Sequence, residues 1–321
     1  MRAMALFSPS NGPRTPSLLR LLNRSLALAA ALLLAAWALH GQFSHASFAA
    51  LAAGLLGQPA GHIAAAMALT CMSFACLGLY DLAGARDVAP QVRGSWAWMT
   101  GMLSNAVSNT LGFHAVTGSL IRARLYSRCG LGAGDIARIV SLSWLALGLG
   151  FVTMLALSEL LDGVLAPRGG TSLAVGLALA LLLTCLVAWL ARAPRAVSLW
   201  SFRQPLPSAR AALLQMALGA VESASAIGAL YVLLPADLSP PFSVFAVGCI
   251  AAVALGVASH MPGGVGVFEA SVTAVVGGAG RADLLAALIL YRAIYNLLPF
   301  AVACAVLAAL RPPKPAQFDG G

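Results

Sequence analysis

The feature that most constrains this chain is a succession of long apolar runs, near residues 21–39, 61–81, 139–158, 171–191, 211–234 and 284–309. At 1.5 Å per helical residue each can cross the roughly 30 Å hydrocarbon core of a bilayer. Composition leaves no other solvent. Of 321 residues 60% are hydrophobic and 9% charged, with a mean hydropathy of +0.89, too few polar side chains to cover a water-soluble globule. The expected fold is all-α and polytopic. The formal charge of +9 sits in loops between apolar runs, which points to a membrane surface and away from nucleic acid. The run at 21–39 follows an arginine-bearing segment without a small-residue cleavage site, so it reads as a first spanning helix rather than a removed signal peptide. Cys71, Cys76, Cys185, Cys249 and Cys304 lie within apolar runs and read as small core residues. No C-x-x-C or Cys/His spacing suggests a metal, and no cofactor motif is present.

Two further segments, 96–121 and 243–280, are apolar but interrupted by Gly, Asn, Ser, His and Pro. Short arginine-bearing loops stay in the cytoplasm. Arg2, Arg14, Arg20 and Arg24 place the N-terminus inside, and so, at their own loops, do Arg86 and Arg93, then Arg122, Arg124, Arg128 and Arg138, then Arg192, Arg195, Arg203 and Arg210, and finally Arg311 with Lys314. Segment 96–121 then begins and ends on the cytoplasmic side, and 243–280 begins and ends outside. The reading is six spanning helices plus two re-entrant hairpins, with a cytoplasmic segment at 1–20, one transmembrane domain at 21–310 and a cytoplasmic tail at 311–321. Of the 19 basic residues only Arg168, Arg281 and Arg292 fall elsewhere. Span starts at 21, 61, 96 and 136 recur near 171, 211, 243 and 284, so the halves 21–160 and 171–310 are expected to form an inverted repeat. Such repeats, with broken segments in matching positions, build alternating-access transporters whose sites lie near the midplane.

Charges within hydrocarbon are costly and mark function. Glu222 lies roughly 16 Å into its helix and Arg292 about 12 Å into the last one. Asn296 follows Arg292 one turn on, with Tyr291 and Tyr295 alongside. Glu222 and Arg292 are therefore expected to face each other as a site for a phosphate or carboxylate head group. In the second interrupted segment, Pro262, Gly263, Gly264 and Gly266 break the backbone between His260 and Glu269. The helix expected to resume near Val265 points its positive end either at an anion or at Glu269. In the first, Asn109 and its neighbours supply donors and acceptors at an equivalent break around Gly112. Arg122, Arg124 and Arg128 with Tyr126 read as a cytoplasmic cluster for anionic lipid head groups. Asp81 reads as the interfacial end of the second helix, and Asp135 as an N-cap.

Taken in order, Ser108-Asn109-Thr110-Leu111-Gly112-Phe113, Arg122-Ala123-Arg124-Leu125-Tyr126-Ser127-Arg128, Pro262-Gly263-Gly264-Val265-Gly266-Val267-Phe268-Glu269 and Tyr291-Arg292-Ala293-Ile294-Tyr295 resemble a known family. It is the transmembrane region of lysylphosphatidylglycerol synthases, shared with stand-alone YbhN-type proteins of the bacterial inner membrane, and the resemblance covers roughly residues 20–310. It implies a unit that binds or translocates lipid, since in bifunctional relatives this region is the flippase for the aminoacylated lipid. Those relatives carry a soluble aminoacyl-transferase domain after the membrane region. Here Arg311-Pro312-Pro313-Lys314-Pro315 and a short tail follow, so synthase activity is not expected. The leading expectation is a lipid transporter acting on charged head groups, with no cofactor. Its partners are membrane lipids, together with a second copy or a lipid-synthesis enzyme. Two other classes compete: a non-catalytic partner of lipid or glycolipid synthesis, and an intramembrane enzyme using Glu269 and His260 as acid and base.

Overall fold

The computed structural model describes residues 48–112, 114–165, 171–192, 196–199, 202–258, 264 and 266–310. The expected span at 21–39, the segment 1–20, the tail 311–321, and His260, Pro262 and Gly263 lie outside the described residues.

Helices dominate: α1 (Phe48–Leu56), α2 (Ala60–Val88), α3 (Gly94–Leu111), α4 (His114–Tyr126), α5 (Ala133–Leu165), α6 (Thr171–Arg192), α7 (Ala209–Tyr231), α8 (Phe242–Ala258) and α9 (Val267–Val276). The last helix is continuous over Ala282–Ala309, built from α10 (Ala282–Tyr291), a π segment (Arg292–Leu297) and α11 (Leu298–Ala309). The sequence reading did not foresee the short antiparallel ribbon between α6 and α7, where β1 (Ala196–Leu199) pairs with β2 (Phe202–Pro205) from Ala196↔Pro205 to Leu199↔Phe202.

Five helices are long and apolar enough to cross a membrane: α2, α5, α6, α7 and the last one. They answer to five of the six expected spans. The starts of α2, α3, α4 and α5 at 60, 94, 114 and 133 recur in α7, α8, α9 and α10 at 209, 242, 267 and 282. Boundaries shift for local reasons. The second span runs on to Val88 rather than stopping at Asp81 and ends just ahead of Pro90, because the residue before a proline is driven out of helical φ/ψ. The fourth begins at Ala133, so Asp135 stands in its first turn rather than at the cap.

Both interrupted segments are helical hairpins. Leu111 ends α3 because Gly112 takes φ +73°, which favours glycine. Trp96 Nε1, at the start of α3, donates to Leu125 O at the end of α4 (3.3 Å), so the two helices fold back on each other. In the second hairpin a Cβ on Gly248, near the start of α8, would touch Val275 at the end of α9, while Gly256 approaches Gly264. The two hairpins point in opposite directions along the last helix. α3 packs along α11 and reaches the π segment with its tip, so its base lies toward Ala309. The base of α8–α9 lies toward Ala282, where Gly278 packs against Leu284.

The surface is apolar and much of the interior polar. Leu181, Leu182, Leu213, Leu214 and Leu255 point outward, while Ser73, Asp81, Thr100 and Ser104 are wholly buried. Cys76 and Cys249 are buried as expected of core residues, whereas Cys71 and Cys185 are exposed on the apolar outer surface. Close helix contact uses small residues. α5 and α7 cross at Gly150 and Gly219, where a Cβ on either would collide with the other's backbone.

Candidate functional site

The last helix loses its α-helical pattern for a reason written in its sequence. Pro299 has no N–H for the carbonyl of Tyr295, and its ring crowds that carbonyl. The preceding turn widens into the π segment Arg292–Leu297, a form frequent at functional positions. Both hairpin tips meet there. From the first, Thr110 Oγ1 donates to the carbonyl of Asn296 (3.0 Å), and Asn296 Nδ2 donates to the carbonyl of Asn109 (3.1 Å). From the second, Glu269 pairs with Arg292 through Nε. The other oxygen of Glu269 accepts from the backbone N–H of Gly266 (2.7 Å), so the carboxylate also caps α9. Gly264 and Gly266 hold φ of +64° and +83° at this break. The Arg292 guanidinium stands 5.7 Å over the Phe268 ring, and rings continue from Phe268 to Tyr291 to Tyr295 with centroids 6.1 and 5.2 Å apart.

Glu222 sits beside this ion pair and not in it. The expected Glu222–Arg292 pairing is replaced by Glu269–Arg292, because the second hairpin delivers a carboxylate to the π segment that linear spacing does not place. Glu222, 5% exposed, is held by hydroxyls. Ser73 Oγ donates to Oε1 (3.0 Å), Ser223 Oγ donates to Oε2 (3.2 Å), and the Tyr295 hydroxyl lies 2.8 Å from Ser73 Oγ.

A second buried ion pair lies at the base of the first hairpin. Arg122 grips Asp81 with Nε and Nη2 at 2.7–3.1 Å, and Tyr126 (3.2 Å) and Ser143 (2.9 Å) donate to the same carboxylate. Asp81 is therefore buried inside the helix bundle, 0% exposed, rather than standing at the end of its helix. The expected cluster for anionic lipids is split. Arg122 and Tyr126 turn inward to Asp81, whereas Arg124 is exposed and Arg128, half-buried, keeps Nε and Nη2 without a hydrogen bond. Among residues the sequence reading passed over, Ser73 and Ser143 carried one signal, a hydroxyl inside an apolar run. Their partners come from other helices and are not local in sequence.

Outside the bundle, Arg281 binds both Asp237 and Asp283. Hydrogen bonds from Arg281 hold the Asp237 carboxyl below its ordinary range. Donating to Asp283 and Asp237 holds the guanidinium charged well above its own ordinary range. An apolar groove of about 300 Å³ between α5, α7 and α8, lined by Met154, Leu157, Val221 and Phe242 among others, has no charged side chain in its wall. Among the described residues no group of His, Cys, Asp and Glu forms a metal site.

A helical membrane protein whose two oppositely directed helical hairpins converge on a π segment of the last helix, one of them through a buried ion pair, is the class that fold and site define. The chain belongs to the lysylphosphatidylglycerol synthase transmembrane-region family, whose model matches residues 24–303. It is 29% identical over 287 residues to the uncharacterized protein slr0712 of Synechocystis, covering 85% of this chain and 86% of that protein. It is also 29% identical over 253 residues to the inner membrane protein YbhN of Escherichia coli, covering 74% and 76%.

Proposed function

We propose that this protein is a lipid transporter of the bacterial inner membrane that passes a charged phospholipid head group between leaflets, with Arg292 as the group that meets the head group's phosphate. The observation that carries this reading is the convergence of both hairpin tips on the Arg292–Leu297 segment. Broken backbone at membrane depth needs a protein or aqueous lining, and opposed hairpins give each leaflet its own entrance to one shared point. In this reading the hairpins are re-entrant from the two faces, the halves form an inverted repeat, and both termini are cytoplasmic. The relationship to the family model and to an inner membrane protein supports the setting.

The chemistry is exchange. Glu269 neutralises Arg292 in the resting pair, and a phosphate monoanion can take its place on the same guanidinium, while the Gly266 N–H keeps Glu269 capped. Acyl chains remain in lipid along the apolar outer surface. The role is movement without group transfer. The test is transfer of fluorescent phosphatidylglycerol between leaflets in proteoliposomes. Removing a charge-assisted hydrogen bond costs about 1.5–3 kcal/mol, so Arg292→Ala is expected to slow transfer by roughly tenfold to a hundredfold. An unchanged rate in a folded variant defeats the assignment.

A further inference from the structure

Glu222 is a buried carboxylate at the centre of the bundle that head-group binding does not use. Burying a carboxylate is costly unless it is paired, yet its hydrogen-bond partners are hydroxyls and its side chain enters none of the ion pairs among the described residues. The arrangement suits a group that is sometimes neutral. Ser73 has one proton and gives it to Glu222 Oε1, so Tyr295 donates to Ser73. When Oε1 itself carries a proton the chain reverses, with Glu222 donating to Ser73 and Ser73 to Tyr295, and no heavy atom has to move. Both protonation states are therefore accommodated by the same side chains.

We infer that Glu222 is a proton-binding site coupled to the head-group site, loaded in one phase of transport and emptied to the water of the opposite face in the other. This rests on the transport reading above. The link is physical. Tyr295, in the hydroxyl chain, stacks on Tyr291, which stacks on Phe268 beneath Arg292. A shift of the π segment that opens the Arg292–Glu269 pair to a phosphate also moves the hydroxyl on which the Glu222 chain depends. A path toward the base of the first hairpin is marked by Tyr80. It is 3% exposed, has a hydroxyl without a protein hydrogen bond, and faces α7 at Gly219, one turn before Glu222.

The titratable groups facing Glu222 are Cys76 and Tyr80 from α2 and Tyr291 and Tyr295 from the last helix, with Arg292 and Glu269 beyond. α5 carries no titratable side chain between Arg138 and Glu159. Cys185 of α6 is exposed on the outer surface, and Cys249 of α8 lies nearer Tyr291. Among the described residues on these facing surfaces, Glu222 is thus the carboxyl left outside the ion pairs, Glu269 being bound to Arg292.

The test has two arms, both on the full chain in phosphatidylethanolamine–phosphatidylglycerol vesicles. In the first, infrared difference spectra across a pH titration are expected to show a protonated-carboxyl band that is absent in Glu222→Gln and kept in Glu269→Gln. In Tyr295→Phe, which keeps the carboxyl and cuts the chain, the band is expected to shift in frequency. No titrating band, or one that survives in Glu222→Gln, overturns the inference. In the second, an imposed pH gradient is expected to change fluorescent phosphatidylglycerol transfer by up to about tenfold per pH unit, the slope of one bound proton, and to have no effect in Glu222→Gln. Transfer that ignores the pH gradient, or follows a sodium gradient instead, overturns the coupling. A Glu222 band that titrates in a protein that moves no lipid leaves the proton site standing and defeats the transport reading instead.

Discussion

Among the described residues the same chemical pair occurs twice, a buried arginine against a buried carboxylate, and the two pairs are built for different ends. Asp81–Arg122 is saturated: the guanidinium binds both oxygens, and Tyr126 and Ser143 add two more donors. Its surroundings are jammed. A Cβ on Gly101 would sit 2.8 Å from Asp81 Cβ, and one on Gly118 would sit 2.7 Å from Ser108 Oγ and 3.0 Å from Arg122 Nη1. Glu269–Arg292 lies instead where helices break. Nearby Gly266 has nothing within 4 Å of a built Cβ, and Gly264 and Gly256 meet at 3.5 Å, ordinary contact. One pair clamps the first hairpin to α2 and α5. The other has open space beside Gly266 at the start of α9. Burial of an ion pair is thus no guide to its role; the packing around it decides.

The largest expected effect comes from breaking the clamp. Asp81→Ala strands a guanidinium in a dry site, and removing one partner of a buried pair costs about 3–5 kcal/mol. Thermal unfolding in detergent should show a destabilised or unfoldable protein. Asp81→Ala with Arg122→Met should recover much of the loss. If the single variant melts like the wild type, the clamp is not one.

The complementary change is Glu269→Gln, which keeps the cap on Gly266 through the amide oxygen and removes the charge facing Arg292. Its stability is expected to fall less than that of Asp81→Ala, by about 1–3 kcal/mol, the usual cost of a weakened buried bond. Lipid transfer should change by about tenfold or more, since each 1.4 kcal/mol of altered head-group affinity is a factor of ten. Equal loss of stability in the two variants would erase the distinction between clamp and site.

The same contrast appears at the level of one methyl group. Gly118→Ala forces a Cβ against Ser108 and Arg122 and should cost about 1–3 kcal/mol by overpacking. Among the described residues, a Cβ on Gly256 meets Gly264 at an ordinary distance, and Gly256→Ala should stay within about 0.5 kcal/mol of wild type. Melting curves of the two variants compare the hairpins directly.

These two regions also show how far sequence reaches. The apolar runs, the hairpin breaks at Gly112 and around Gly264 and Gly266, and the buried charged residues Glu222, Glu269 and Arg292 are legible because each is a local departure from hydrophobicity or helix propensity. Pairing is not. Arg292 was matched to Glu222 on depth alone, and only the return of the second hairpin brings Glu269 to the π segment. Asp81 and Arg122 read as surface charges because each lies near an arginine-bearing loop. Asp81 is buried inside the bundle because α2 runs seven residues further, to Val88, and packs it against Arg122. The π segment had a sequence cause, Pro299, but a proline within an apolar run announces a distortion without saying which kind.

The smallest effect concerns the end of the bundle beyond both pairs, where Arg281 ties the loop at Asp237 to the start of the last helix. Arg281 depresses the Asp237 carboxyl in the folded state. A depressed acid stabilises the fold above its unfolded titration range, and that contribution is lost as pH falls through the lower folded value. The latch should therefore hold at neutral pH and loosen only below the ordinary aspartate range. Both partners are exposed, at 39% and 62%, so salt should screen most of the effect. Melting of Asp237→Asn and wild type is expected to differ slightly at neutral pH in low salt and to coincide in acid or high salt. A difference that grows on acidification would show that Asp237 is not held by Arg281. It would also separate this surface latch from the buried pairs, whose dry surroundings shield them from salt.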